Sequence, residues 1–367
     1  MQILELIKTL QEVAPAAYQE SYDNAGLLTG NAAWELTGVL VTLDCLEQTI
    51  EEAVHKGCNL VVAHHPILFK ATRQLTGSDY IQRTLIRAIK ADVAIYAVHT
   101  NLDNVLTGVN KKIADLLGLE NQRILAPKSG MLSSLVTFVP APDAEKVRQA
   151  LFRAGGGMIG KYRDCAFSTS GTGTFRPQQG ASPAIGTIGE TQSVAEQRIE
   201  LIFPSHLQQK LVQALIKAHP YEEVAYYIQP LSNSYAEVGS GMMGRLPQAI
   251  DFQLFFENIK KLFGIKVIRH TALPKENKKV QTVALCGGAG SFLTKTAIAA
   301  GADIYITADV KYHEFFDADN QIVLADIGHF ESEQYTIELL FDILAQKFPT
   351  FAILKSEYCT NPVLYYI

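Results

Sequence analysis

The run Leu60-Val61-Val62-Ala63 passes without a polar interruption into His64-His65-Pro66. Four apolar residues bounded by turn-forming ones read as a buried strand. Side chains on a regular strand alternate between its two faces, but Pro66 disfavours further pairing. The chain therefore turns at the histidines and can bring both imidazoles toward one crevice. In open α/β sheets, ligands sit beyond the carboxyl ends of the strands, where His64 and His65 fall. A plainer reading of the tripeptide alone is two polar residues facing water at the start of a loop.

The flanking stretches show what this strand joins. Residues 2–13 have helical periodicity, closed by Pro15, and Glu20 to Leu28 is a polar turn running into apolar residues. Asp23 and Asn24 suit such a turn because both accept local backbone bonds. Residues 39–43 read as a strand, 46–55 as a helix stopped by Lys56-Gly57, 78–90 as a second helix and 93–98 as a third strand. Strand and helix alternating in this way predict a parallel sheet covered on both faces. The strand at 93–98 also ends in polar residues, His99-Thr100-Asn101-Leu102-Asp103-Asn104. If it is a parallel neighbour of 60–63, Asp103 can meet His64 and His65; otherwise Asp103 is a helix cap or turn residue. A helix follows at about 108–117.

Composition shifts near residue 128, where Lys128-Ser129-Gly130 reads as a linker. Beyond it come a strand at 132–139, a helix to Ala154 with Asp143 as its expected N-cap, and a Gly/Ser/Thr/Pro-rich stretch over 168–190. A strand at 198–203, a helix at 205–218 and a strand at 224–228 complete the segment. The order suits a ferredoxin-like α+β unit. Phe175-Arg176-Pro177 and His219-Pro220-Tyr221-Glu222 either contribute a small-ligand surface or simply fix turns.

After the stretch Gly239 to Leu246 the α/β pattern resumes, with a helix at 252–263 and strands at 266–269, 282–285, 303–307 and 322–325. Gly287-Gly288-Ala289-Gly290-Ser291 follows the second of these strands. Such a turn can hold an anion on backbone N–H groups, or can serve close packing of helix on strand. The third strand ends in Ala308-Asp309-Val310-Lys311-Tyr312-His313-Glu314, and the fourth in Asp326-Ile327-Gly328-His329-Phe330-Glu331-Ser332-Glu333, which opens a helix to Gln346. His329 and Glu333 are four apart and share one helical face. Glu331 faces away and suits the first turn of a helix dipole. The expected fold class is α/β: a three-layer, mostly parallel sheet domain built from two chain halves, 1–128 and 232–367, with a ferredoxin-like α+β domain inserted at 129–231.

The candidates gathered at strand ends are His64, His65, Asp103, His329 and Glu333. Imidazole and carboxylate without cysteine suit zinc, iron, manganese or similar divalent ions. Five ligands exceed what one catalytic zinc takes from protein and suit two ions about 3.5–4 Å apart. Four positive charges against two carboxylates favour a hydroxide nucleophile, the species a hydrolase uses. His99, Asp309 and His313, also at strand ends, are the candidate catalytic groups. The five cysteines are scattered and odd in number, which fits reduced cytoplasmic thiols rather than a disulfide framework. No apolar run approaches the ~18 residues of a spanning helix, and the N-terminus lacks the pattern of a signal peptide. A cytoplasmic protein without membrane contact is expected. The formal net charge of −5 counts against bulk attachment to nucleic acid.

Three separated motifs, His-His-Pro at 64–66, His-Thr-Asn-Leu-Asp at 99–103 and Gly-His-Phe-x-x-Glu at 328–333, resemble the signature of the Nif-three-like dinuclear metal-centre family, whose members are often labelled GTP cyclohydrolase 1 type 2 homologs. Ser-Tyr-Asp-Asn-x-Gly at 21–26 resembles its N-terminal motif, with Tyr22 where tryptophan is commoner. Thr307-Ala308-Asp309 resembles a Thr-Gly-Asp element, with alanine replacing glycine. The resemblance covers 1–127 and 233–367, and the insertion is similar to the CutA-like or PII-like module of longer bacterial members. It implies two divalent metal ions held by His64, His65, Asp103, His329 and Glu333, and a homohexameric toroid with the metal sites facing an internal cavity. It also implies a metal-dependent hydrolase of a small molecule or nucleotide. The sequence has neither a Walker loop nor an Asn-Lys-x-Asp run, so the cyclohydrolase label rests on resemblance alone. The alternative is a non-enzymatic metal-binding regulator or metal-handling protein whose insertion senses a ligand or recruits a partner.

Overall fold

The computed structural model describes residues 1–274 and 278–366. The chain forms two compact units, Met1–Ala126 with Glu237–Ile367, and Pro127–Ala236.

The first unit contains two sheets where the sequence predicts one. The first sheet runs Gly26–Thr29, Ala94–Ala97, Leu60–Ala63, Val39–Thr42, Ile353–Lys355. Gly26–Thr29 is an antiparallel edge and the other four strands are parallel. Every residue of the three central strands is buried. A parallel sheet covered on both faces produces such unbroken apolar runs. Helices Glu47–His55 and Tyr80–Lys90 pack on it through Ile50, Ala53, Leu85 and Ala88 against Leu40, Val61 and Ile95. Each large aliphatic side chain so buried contributes about 1.5–3 kcal/mol.

The second sheet runs Arg269–His270, Val323–Asp326, Ile304–Ala308, Val280–Ala289, Ser234–Ile250, Glu120–Ser129. Val280–Ala289, Ile304–Ala308 and Val323–Asp326 are parallel, with antiparallel neighbours outside them. Each chain half thus supplies its own parallel core. A single sheet would need a free strand edge, and both edges of the first core are taken. Ile353–Lys355 occupies that of Val39–Thr42, and Gly26–Thr29 that of Ala94–Ala97. The halves also exchange strands, since residues 353–355 join the first sheet and Glu120–Ser129 the second. The helix predicted to 346 is two pieces, His329–Glu333 and Thr336–Lys347.

The second unit has the order strand Leu132–Pro140, helix Ala144–Arg153, strands Phe167–Phe175 and Gln192–Pro204, helix Gln208–Ala218, strand Tyr226–Leu231. Its sheet is antiparallel throughout, in the order Phe167–Phe175, Gln192–Pro204, Leu132–Pro140, Tyr226–Leu231. Alternate residues Leu135, Val139, Ile199, Leu201 and Phe203 meet Val147, Leu151, Leu211 and Leu215 of the helices, as period-two strands under amphipathic helices should. The stretch predicted as a Gly/Ser/Thr/Pro-rich connection holds a nine-residue strand, Phe167–Phe175. It is an edge strand with mostly exposed residues, so it carries no apolar alternation. Asp143 makes no side-chain cap bond; it lies in a 3-10 turn, Ala141–Asp143, that leads into the helix.

Candidate metal centre

His64 and His65 are pinned at the strand end by their own backbone. The N–H of His64 lies 3.2 Å from the carbonyl of Thr42 and 3.1 Å from that of Leu43, and the N–H of His65 donates to Leu43 at 3.0 Å. The side chains then come to one place. His64 Nδ1 donates to the carbonyl of Val98 at 2.8 Å. Its Nε2 is buried without a hydrogen-bond partner in the protein, 3.6 Å from Asp103 Oδ1 and 3.9 Å from Glu333 Oε1. Asp103 Oδ1 is likewise buried and unpartnered. His65 Nδ1 meets Asp44 Oδ1 at 2.7 Å, and its Nε2 lies 2.9 Å from Glu333 Oε2. His329 Nδ1 meets Asp309 Oδ2 at 2.7 Å, and its Nε2 lies 3.1 Å from Glu333 Oε2 and 3.3 Å from His65 Nε2.

Each of these three rings has its Nδ1 held by an acceptor, the arrangement that fixes a metal-ligating histidine. In the neutral ring this leaves Nε2 as a bare acceptor. Two such nitrogens and a carboxylate oxygen stand 2.9–3.3 Å apart, and acceptors at that spacing demand positive charge between them. The electrostatics of the groups carry the same demand. Burial pulls His65 down, but hydrogen bonds to Asp44 and Glu333 outweigh it and raise the ring to about 10. His329 is raised to about 9, against its burial, chiefly by Glu333. Asp103 is pushed up to about 7 by burial and then by the charge of Glu333. His64, His65 and Glu333 offer ligand atoms within 4.8 Å of one another, as a metal-holding group must. Imidazole and carboxylate donors fit a divalent transition ion.

The glycine-rich turn serves this cluster rather than an anion. The N–H groups of Gly287, Gly288 and Gly290 already donate to Asn110 Oδ1, Ser332 Oγ and Thr307 Oγ1. Gly288 has φ +63°, and a Cβ there would lie 2.4 Å from Glu333 Oε1. Glycine at 288 therefore makes the space in which the carboxylate sits.

His99 is also at the site, with ring centroid 5.4 Å from that of His64 and 5.5 Å from that of His65. Its Nδ1 meets Asp23 Oδ1 at 2.8 Å, and Asp23 Oδ2 accepts from Thr100 Oγ1 at 2.5 Å. Burial would raise Asp23, but bonds from His99 and Thr100 prevail and hold it at about 2. Asp23 also accepts the N–H of Asn24, so it builds the turn the sequence predicts and holds His99 as well. Asp309 reaches the cluster through His329. His313 does not join it: the ring is exposed and packs with Tyr312 and Phe316, because the chain turns away in the 3-10 segment Tyr312–Ala318. Sequence reading passes over Asp44, although it follows the buried run 39–43 much as His64 follows 60–63. Thr360, which donates to Asp44 Oδ2 at 2.6 Å, carries no sequence signal.

A family model described as Duf34/NIF3 (NGG1p interacting factor 3) matches residues 1–362. A Bacillus subtilis protein named GTP cyclohydrolase 1 type 2 homolog is 36% identical over 367 residues, 98% of this chain and 97% of the relative. A protein of the same name from Halalkalibacterium halodurans is 38% identical over 326 residues, 88% of this chain and 87% of the relative. The crystal structure of a Bacillus cereus protein related to NIF3 is similar with a TM-score of 0.87 at 35% identity, covering 100% of this chain and 99% of that one.

Proposed function

The chain belongs to the Duf34/NIF3 family, and on that premise we propose that it is a dinuclear divalent-metal protein acting as a hydrolase on a small molecule or nucleotide. The carrying observation is the division of Glu333. Its Oε1 faces His64, whose Nε2 also faces Asp103, while its Oε2 faces His65 and His329. One ion would be held by His64, Asp103 and Glu333, and a second by His65, His329 and Glu333, with zinc, iron or manganese suiting the donors. When bound, such ions supply Lewis acidity that polarises a carbonyl or phosphoryl oxygen and acidify water.

The chain's own residues supply the rest. Val98, Asp44 and Asp309 orient the three rings through Nδ1. His99, fixed through Nδ1 by Asp23, stands beside the cluster as its candidate proton-transfer group. Asp309 acts here through His329, and His313 has no part in the proposal. The name carried by the relatives is the ground for considering GTP as a substrate. A homohexameric toroid, a cytoplasmic location and a CutA-like or PII-like character for the second unit belong to the same proposal. A solution mass near six chains of 40.3 kDa supports the assembly, and a monomer mass rules it out.

The test is elemental analysis of protein purified without chelator, beside Asp103→Ala, followed by hydrolysis assays on GTP and simple phosphate esters. About two ions per chain, reduced in the variant, with turnover lost in parallel, is the expected result. No uptake of zinc, iron or manganese by the unaltered protein overturns the proposal. Metal without turnover on any substrate favours a second reading, a non-enzymatic metal-binding regulator. One observation favours that reading, namely that the second unit has a cavity of its own.

A further inference from the structure

The second unit carries a half-open cavity of about 550 Å³, with walls that include Phe138, Phe175, Pro177, Ile185 and Tyr221. That volume is in the range of small-molecule sites, which pair apolar walls with a few placed polar groups. The placed group here is Glu196, on strand Gln192–Pro204 and only 8% exposed. Its Oε1 accepts the hydroxyl of Tyr221 at 3.0 Å. Burial and then Glu196 push the Tyr221 hydroxyl up to about 12, so it remains a donor to the carboxylate. The neighbouring strand makes room for the acid. A Cβ at Gly173 would lie 2.1 Å from Glu196 Oε2, so the carboxylate lies over a position that only glycine leaves open.

Two facts set the charge of the ligand. Among the described residues no lysine, arginine or histidine is ion-paired to Glu196, and the lining guanidinium, Arg176, donates twice to Thr191 Oγ1, at 2.9 and 2.7 Å. Glu222 and Glu223 line the rim of the cavity but are exposed, and Glu222 accepts the N–H of Ser182 at 2.7 Å, so Glu196 is the one buried charge among the lining residues. A buried carboxylate without a cation is costly, and a cation over aromatic faces gains further attraction. The ring centroids of Phe175 and Tyr221 are 5.5 Å apart at 60°, offering a face and an edge to a flat ligand.

We infer that this cavity is a binding site for a planar organic cation, an aromatic amine or amidine, with its charged nitrogen on Glu196 and its ring among Phe138, Phe175 and Tyr221. None of these residues belongs to the metal cluster, so the inference holds whether or not the protein is a hydrolase.

The test is calorimetric titration of the full chain with tryptamine and benzamidine, beside the matched anions indole-3-acetate and benzoate. Both cations should bind with dissociation constants of roughly micromolar to millimolar order, and the anions at least about tenfold more weakly. Glu196→Gln, with an unchanged circular dichroism spectrum, should weaken the cations by about tenfold or more. Phe175→Ala should weaken them as well, which separates loss of the wall from any misfolding of the charge variant. Three results overturn the inference: equal binding of the anions, no cation binding up to about 10 mM, or a folded Glu196→Gln chain that binds the cations undiminished.

Discussion

Around Glu333, imidazole nitrogens and carboxylate oxygens stand 2.9–3.9 Å apart with fewer protons than lone pairs. Around Glu196 a single buried carboxylate, bonded to Tyr221, faces about 550 Å³ of space between aromatic walls. Both places draw positive charge, but they draw it differently. The cluster leaves gaps of atomic size between fixed donors, so an ion held there would be selected by coordination geometry. The cavity leaves room for a whole molecule, so it selects by sign of charge and by shape. The lesson is that a buried acid does not by itself announce a metal. The density of acceptors around it decides.

The largest effect should come from removing the acid shared by both halves of the cluster. Glu333→Ala should lose both ions, with affinity for each down by more than about 100-fold; elemental analysis after dialysis reads this. Retention of two ions would break the contrast between cluster and cavity. Chelation should come next. Stripping bound ions removes ligand-linked stability, about 2.7 kcal/mol for an ion at 100 times its dissociation constant, so the thermal midpoint should fall and recover on adding metal. Tryptamine binding should persist in the stripped protein, and its loss would mean that the two regions are not separate. Asp44→Ala, which frees Nδ1 of His65 without replacing a proposed ligand, should cost about 10–100-fold in metal affinity.

A smaller effect concerns acid stability. Asp23 falls from an ordinary 3.8 to about 2 in the fold. It binds fewer protons folded than unfolded between those values, so its contribution is full above about pH 4 and disappears as pH falls toward 2, by about 2 kcal/mol in all. Asp23→Asn should flatten the denaturation profile in that window. The smallest effect expected is from Thr360→Val, which removes one hydrogen bond to Asp44 and should weaken metal binding severalfold, as a bond worth about 0.5–1.5 kcal/mol implies.

The strands flanking the cluster were legible because full burial makes them unbroken apolar runs, and the polar residues just past them were legible by contrast. His64, His65, Asp103, His329 and Glu333 meet because strand neighbours and a four-residue helical spacing bring them together. His313 looked equivalent in sequence, but the chain's direction after Ala308 is set by tertiary packing. Asp23 reads as a turn residue because it is one; its second role, holding His99, depends on a contact with residue 99 across the fold. The strand Phe167–Phe175 was illegible because an exposed edge needs no apolar alternation. The division into two sheets turns on Ile353–Lys355, and three residues are too few for any period to declare a partner.

That last strand has a consequence for the chain as it leaves the ribosome. Val39–Thr42 gains its outer neighbour only when residues 353–355 emerge, about 300 residues later, a wait of roughly 15–60 s at ordinary rates of synthesis. Meanwhile the nascent chain presents an unpaired strand edge, the kind of surface that recruits stray β-pairing. His64, His65 and Asp103 are also made long before His329 and Glu333. A growing chain thus holds an incomplete set of the proposed donors until translation has passed Glu333.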